Sequence, residues 1–121
     1  ICTDKLKDLA SGARTLNNVV CAVGGAAIDK MPNGKDWRAR YDAKFPKQFQ
    51  VYSPYTYDAT MVLVDAMKRA NSVDPKVYGP KLAATNYQGV TAKVAFEPQG
   101  DLKNPAMTLY VYKDGKKVAI N

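Results

Sequence analysis

The chain has 121 residues and a net charge of +7; 46% of its residues are hydrophobic and 24% are charged. This apolar fraction is ordinary for a globular protein and argues against disorder. Since no run of 18 or more apolar residues occurs, no membrane-spanning helix is expected. The basic side chains are scattered, and no basic helical face is interleaved with aromatic residues, so specific nucleic-acid binding is not expected.

The first half of the chain is predicted to contain a helix, a strand and a second helix. Residues 3–11 begin with a capping threonine and bring two leucines to one face of a short helix. Residues 18–22 are an apolar run followed by two glycines, which is typical of a buried strand. After a Met-Pro-Asn-Gly turn at 31–34, aromatic residues recur at every fourth position of residues 35–45. This spacing predicts an amphipathic helix with its aromatic stripe in the core, formed by Trp37, Tyr41 and Phe45.

The second half is predicted to contain two helices followed by strands. Ser53 is expected to cap a long helix whose first residue is Pro54. Residues 90–96 alternate in the manner of a strand, with apolar side chains on one face. The long helix is expected to end near Ala70. The other predicted elements are a helix over 76–84, a turn over 97–101, a strand over 107–112 and a tight hairpin at Asp114-Gly115. This order fits an α/β fold.

The residue inventory does not favour catalysis or metal binding. The chain has no histidine, which excludes a Ser-His or Cys-His pair and a histidine-dependent zinc site. Asp58 and Asp65 share one helix face two turns apart, where a solvated surface is the expected environment. No phosphate-binding glycine motif is present. We therefore expect no catalysis, no cofactor and no metal.

The two cysteines, Cys2 and Cys21, suggest an oxidising compartment. A disulfide between them would close a loop and stabilise the fold by about 3 kcal/mol. Disulfides persist in oxidising compartments, so this pair would suit a location outside the reducing cytosol. The alternative is that both residues are buried free thiols.

Two ordered groups of residues carry a resemblance to a known family. The first is Tyr52-Ser-Pro-Tyr55-Thr-Tyr57-Asp58-Ala59, which opens the long helix. The second is Gly-Val-Thr at 89–91, Phe96-x-x-x-Gly-Asp-Leu-Lys-Asn and a closing Tyr-Lys-Asp-Gly-Lys at 112–116. These segments resemble the C-terminal region of bacterial branched-chain amino-acid-binding proteins, the periplasmic receptors of ABC transporters. Their order and spacing agree with that family across nearly all of the chain.

The resemblance implies a fragment of a two-lobed, Rossmann-like fold of the type I periplasmic-binding class, with a C-terminal antiparallel hairpin. Residues 1–25 would belong to the second lobe, 26–95 to the first, and 96–121 would return to the second. Receptors of this family are about three times longer, and Ile1 is not an initiator methionine, so the chain is expected to be the last third of one. A signal peptide would belong to the absent part. If isolated, the fragment is expected to pair with the missing N-terminal part or with a swapped copy of itself.

The resemblance also implies candidate site residues. An aromatic residue at the position matching Tyr52 packs against the ligand in that family, and Tyr55 is the neighbour that would do so instead. Alternatively, the tyrosines at this helix start simply pack between helix and sheet, which is the interpretation we favour for Tyr57. Asp101 lies near an implied lobe crossing and is a hinge candidate, although a turn aspartate that bonds its own backbone is the simpler interpretation.

The expected function is that of a receptor that delivers a branched-chain or related amino acid to the membrane permease of an ABC transporter. Two alternatives remain open on the same fold. One is a sensor domain for an amide or amino acid, and the other is a structural fragment without a small ligand. Genes for a permease and an ATPase beside the parent gene would favour the receptor.

Overall fold

A computed structural model of the chain describes Leu6, residues 16–114 and residues 116–121. The helix predicted over 3–11 lies outside these residues except for Leu6, which is helical, and so do Cys2 and Gly115. The helices and strands are β1 (Val20–Gly24), a 3-10 helix (Ile28–Lys30), α1 (Gly34–Lys44), α2 (Ser53–Ala70), α3 (Pro75–Ala83), β2 (Asn86–Gln88), β3 (Lys93–Ala95), β4 (Met107–Lys113) and β5 (Lys116–Ala119). No helix among the described residues is both long enough and apolar enough to cross a membrane.

The chain divides into two compact units, of which the first comprises residues 1–27 and 105–121. Its sheet has the strand order β1-β4-β5, with both pairs antiparallel. The core of this unit is formed by Leu16, Val23 and Tyr112, with further apolar side chains packed around them. Burial of such side chains is the main favourable contribution to the stability of this unit.

The hairpin between β4 and β5 confirms the predicted turn. Lys113 pairs with Lys116, so the connection between the two strands is two residues long and begins at Asp114. Asp114 has a φ of 50°, as a turn of this length requires. The predicted strand at 18–22 is found two residues later, and it is not buried throughout, because Val20 is 59% exposed.

The second unit comprises residues 28–104 and contains α1, α2, α3 and the β2–β3 hairpin. α2 packs against α3 and buries a stripe at every fourth position, formed by Pro54, Asp58, Val62 and Ala66. This spacing keeps the buried residues on one face of the helix. α3 begins at Pro75, one residue earlier than predicted, and the Asp74 side chain caps it by accepting a hydrogen bond of 2.9 Å from the amide of Lys76.

Two helix starts are held by local contacts. α1 begins at Gly34, where a β-carbon would overlap the carbonyl oxygen of Ile28. α2 begins one residue earlier than predicted, with Tyr52 at the N-cap position. The Ser53 hydroxyl does not cap the helix; it accepts a hydrogen bond of 2.9 Å from the amide of Gln50.

The strand predicted over 90–96 is wrong in its first half. Residues 89–92 form a turn closed by a 2.9 Å hydrogen bond from the Gly89 amide to the Ala92 carbonyl, and β3 starts at Lys93. The following turn over 97–101 is confirmed, with the Glu97 amide 2.8 Å from the Asp101 carbonyl oxygen and Gly100 at a φ of 97°. Alternation of apolar residues alone did not distinguish a turn from a strand.

Candidate functional site

An open groove of about 770 Å³ lies within the second unit, along α1 and the first half of α2. We call it the aromatic groove because five aromatic side chains line it. Its lining residues are Trp37, Tyr41, Phe45, Tyr52 and Tyr57, with Met61, the cations Arg40 and Lys44, and the polar residues Gln50, Ser53, Thr56 and Thr60. Its volume lies in the range of about 300–1,000 Å³ that is typical of small-molecule sites.

Successive aromatic rings pack against one another along the groove. The ring centroids of Trp37 and Tyr41 are 4.9 Å apart, those of Tyr41 and Phe45 are 5.2 Å apart, and those of Trp37 and Tyr57 are 5.7 Å apart. Tilted pairs at such distances are favourable beyond the apolar area that they bury. The rings therefore form a continuous apolar wall that joins α1 to α2.

This arrangement corrects two predictions about the aromatic residues. Trp37 is buried, with 4% exposure, but Phe45 is exposed, so the aromatic stripe of α1 is core only at its first residue. Tyr57, which was expected to pack inside, is 42% exposed and lines the groove. The reason is that the core face of α2 runs through Asp58 and Val62, which leaves Tyr57 on the adjacent face.

The charged side chains at the groove are cations. Arg40 pairs with Asp36 at 3.1 Å on the same helix, and both side chains are exposed, so the pair contributes little to stability. Lys44 Nζ lies 5.8 Å from the centre of the Phe45 ring. No carboxylate is found among the described residues that line the groove.

Asp58 is not on a solvated face, as was predicted, but is buried with 4% exposure. Its Oδ1 accepts a hydrogen bond from the Val90 amide at 2.8 Å. Its Oδ2 accepts one from the Thr91 amide at 2.8 Å and another from the Thr91 hydroxyl at 2.6 Å. A carboxylate that leaves water needs such donors, and these three compensate for its burial.

The predicted site residues are not all brought together. Tyr52 lies on the groove wall with 59% exposure, whereas Tyr55 is half-buried and lies away from the groove lining. Asp101 is exposed; its carboxylate receives a hydrogen bond of 3.4 Å from the Gln99 side chain. The ligand-binding roles of Tyr52 and Tyr55 and the hinge role of Asp101 stay predictions.

The cysteines and metal-binding groups add no second site. Cys21 lies on β1, while Cys2 is outside the described residues, so the disulfide stays a prediction. In the part of the chain that the structure describes, no group of three or more acidic, cysteine or histidine side chains could hold a metal ion.

The buried Asp58 was missed although the sequence contained a signal for it. It falls in the stripe of every fourth residue that also includes Pro54 and Val62, so the helical period places it on the core face. A carboxylate on such a face requires donors from elsewhere in the fold. Gly89 is a second signal, because a glycine outside regular structure can mark a place where the backbone comes close to another group. Here the backbone next to Gly89 supplies the donors to Asp58.

Comparison with known proteins identifies the family. The model of the periplasmic binding protein family matches residues 6–117, so the chain belongs to that family. A curated relative from Pseudomonas aeruginosa, the leucine-, isoleucine-, valine-, threonine- and alanine-binding protein, is 25% identical over 95 residues, which cover 78% of this chain and 26% of the relative.

Two solved structures confirm the predicted fold class. A leucine-binding protein from Thermotoga maritima superposes with a TM-score of 0.79 at 20% identity, covering 98% of this chain and 34% of that protein. A putative branched-chain amino acid ABC transporter protein from Rhodospirillum rubrum gives a TM-score of 0.71 at 23% identity, covering 99% of this chain and 35% of the other. The chain therefore has the fold of one part of a type I periplasmic binding protein and spans about a third of these structures' length.

Proposed function

We propose that the natural protein containing this chain is an extracytoplasmic receptor that binds a branched-chain or related amino acid and delivers it to an ABC transporter permease. The observation that carries this proposal is the family match over residues 6–117. The relatives support the ligand class, because the Pseudomonas protein and the Thermotoga structure are both named for the binding of leucine. The relatives are binding proteins by name, and we assign no catalytic step to this one.

The aromatic groove supports a role for Tyr52 at the ligand. Tyr52 stands at the N-terminus of α2, lines the groove and is 59% exposed. An aromatic ring in this position offers a rigid apolar surface to an aliphatic side chain. Tyr55, on the half-buried side of the same turn, is the alternative residue for this contact.

The chain would supply only part of the ligand's surroundings. An amino acid carries an ammonium group, and the described groove lining contains no carboxylate to pair with it. Leaving such a buried charge without its partner costs about 2–5 kcal/mol of binding free energy. The counter-charge would therefore come from the remainder of the longer receptor, and this chain alone would bind an amino acid weakly.

Delivery would depend on closure of two lobes around the ligand. In this proposal residues 26–95 lie in the first lobe, and residues 1–25 and 96–121 lie in the second. The chain passes from one compact unit to the other at residues 27–28 and again at 104–105, and Asp101 is close to the second passage. A hinge is a short segment that absorbs such a change of direction, which supports Asp101 as a hinge candidate. The closed form would then dock on the permease from the periplasm. The receptor would reach the periplasm by way of a signal peptide.

A thermal-shift screen of the natural protein tests this proposal. The protein would be stripped of bound ligand by unfolding and refolding, and then screened against the twenty amino acids. A ligand that binds the native state raises the melting temperature by mass action. A rise with leucine, isoleucine or valine is expected, whereas no rise with any of the twenty would contradict the proposed ligand class.

A further inference from the structure

The side chain of Asp58 connects two parts of the second unit that are distant in the sequence. Its carboxylate projects from α2 and accepts hydrogen bonds from Val90 and Thr91, which lie 32 and 33 residues further along the chain. Both oxygens are used, so the carboxylate fixes the turn at 89–91 in position as well as in orientation. Hydrogen bonds to a charged acceptor are stronger than those between neutral groups.

The same turn contacts the beginning of α1. The carbonyl oxygen of Val90 accepts a hydrogen bond of 3.5 Å from the Asn33 amide, and the carbonyl of Asn33 accepts one of 3.0 Å from the Trp37 amide. Val90 and Trp37 are both buried. A continuous set of contacts therefore runs from α2 through Asp58 and the turn to the first turn of α1.

We propose that Asp58 is a positioning residue for the aromatic groove. By holding the turn at 89–91 against α2, its carboxylate sets where α1 starts and hence where the Trp37 ring meets Tyr57 across the groove. This inference rests on the proposed function to the extent that the groove is the ligand site. A residue that only stabilised the fold would change the melting temperature without changing the groove.

Trp37 is a direct reporter of groove geometry, because its ring contacts both Tyr41 and Tyr57. The experiment labels the natural protein with 5-fluorotryptophan and identifies the Trp37 signal in the fluorine NMR spectrum by its loss in Trp37→Phe. The test variant is Asp58→Asn, which keeps the side-chain volume but has only one acceptor oxygen. The matched control is Asp65→Asn, which makes the same charge change on the same helix at a carboxylate that is paired with Arg69 at 2.8 Å and is half-exposed.

The expected result is a shifted or broadened Trp37 signal in Asp58→Asn and an unchanged signal in Asp65→Asn. Leucine affinity should fall by about tenfold in Asp58→Asn because the displaced rings would contact the ligand less well; this corresponds to a loss of about 1.4 kcal/mol. A second pair makes a smaller change: Thr91→Val removes one donor to Asp58 and keeps both backbone bonds, whereas Thr91→Ser retains the hydroxyl. Thr91→Val should shift the signal in the same direction, and Thr91→Ser should restore it.

A lower melting temperature with an unchanged Trp37 signal and unchanged affinity would overturn the proposal, since Asp58 would then be a purely stabilising residue. If Asp58→Asn does not fold, the Trp37 signals of Thr91→Val and Thr91→Ser decide whether Asp58 positions the groove or only stabilises the fold. If the unmodified protein binds no amino acid, the proposed function fails by itself, and the Trp37 signal alone then decides whether Asp58 positions the groove.

Discussion

Gly89 and Asp58 approach so closely that a β-carbon at position 89 would overlap the Oδ2 atom of the Asp58 carboxylate. The carbonyl oxygen of Ala92 would also lie only 3.0 Å from it. The glycine is thus required by space and not by backbone conformation. It allows the amides of the turn to reach a carboxylate on α2, so the two residues form one structural unit.

Substitution of Gly89 by alanine should strongly destabilise the protein. The added methyl group would displace the turn or the carboxylate, and the loss of one or more hydrogen bonds to a buried charge should lower the free energy of unfolding by about 2–4 kcal/mol. Chemical denaturation measures this change. The matched control is Gly79→Ala within α3, where a β-carbon meets nothing within 4 Å. That variant should be more stable than the wild type by about 0.5–1 kcal/mol, because alanine favours a helix interior. Equal effects of the two substitutions would contradict this account.

Local signals were sufficient to predict most of the fold. The Ser53-Pro54 pair and the helical period located α2 to within one residue at its start, and the Asp114-Gly115 pair located the β4–β5 hairpin. These features depend on neighbours in the sequence, so a single sequence contains the information. The resemblance to branched-chain amino-acid-binding proteins supplied the fold class, which short periodic segments alone could not.

The contacts between distant segments could not be predicted in the same way. Asp58 and Thr91 are 33 residues apart, and nothing local to either residue specifies the other. The start of β3 was placed too early for this reason, since the amides of Val90 and Thr91 are engaged by Asp58 and not by a neighbouring strand. The groove was missed in part because an aromatic stripe at helical spacing has the same pattern whether it faces the core or an open cavity.

Tyr87 should titrate at higher pH than an ordinary tyrosine. Burial raises the pKa of its hydroxyl above 10.0, and the nearby Tyr57, Asp58 and Asp65 raise it further. Because the folded state keeps this proton longer than the unfolded state does, stability is unaffected below the unfolded pKa and decreases as the pH rises above it. A spectrophotometric titration should therefore show a late tyrosine component that disappears in Tyr87→Phe. If the amplitude lost in that variant lies in the ordinary tyrosine range instead, the assignment is contradicted.

The disulfide predicted between Cys2 and Cys21 can be tested by mass spectrometry. The oxidised natural protein should not react at either position with a thiol-alkylating reagent unless a reductant is added first. Replacement of Cys21 by serine should lower the free energy of unfolding by about 3 kcal/mol under oxidising conditions, as the loop-closure estimate requires. Under reducing conditions the variant and the wild type should differ much less. Alkylation of both cysteines without reduction would show that they are free thiols.

Calorimetric titration of leucine tests most directly whether this chain belongs to an amino-acid receptor whose ligand packs against Tyr52. Wild-type natural protein, stripped of ligand, would be compared with Tyr52→Ala and with Tyr55→Ala, which removes the alternative contact residue. Removing the exposed ring of Tyr52 should weaken leucine binding by about ten- to a hundredfold, which corresponds to the loss of about 1.5–3 kcal/mol of apolar contact. Tyr55→Ala should bind as the wild type does. Absence of leucine, isoleucine and valine binding in the wild type would contradict the claim, and a loss confined to Tyr55→Ala would contradict the role of Tyr52.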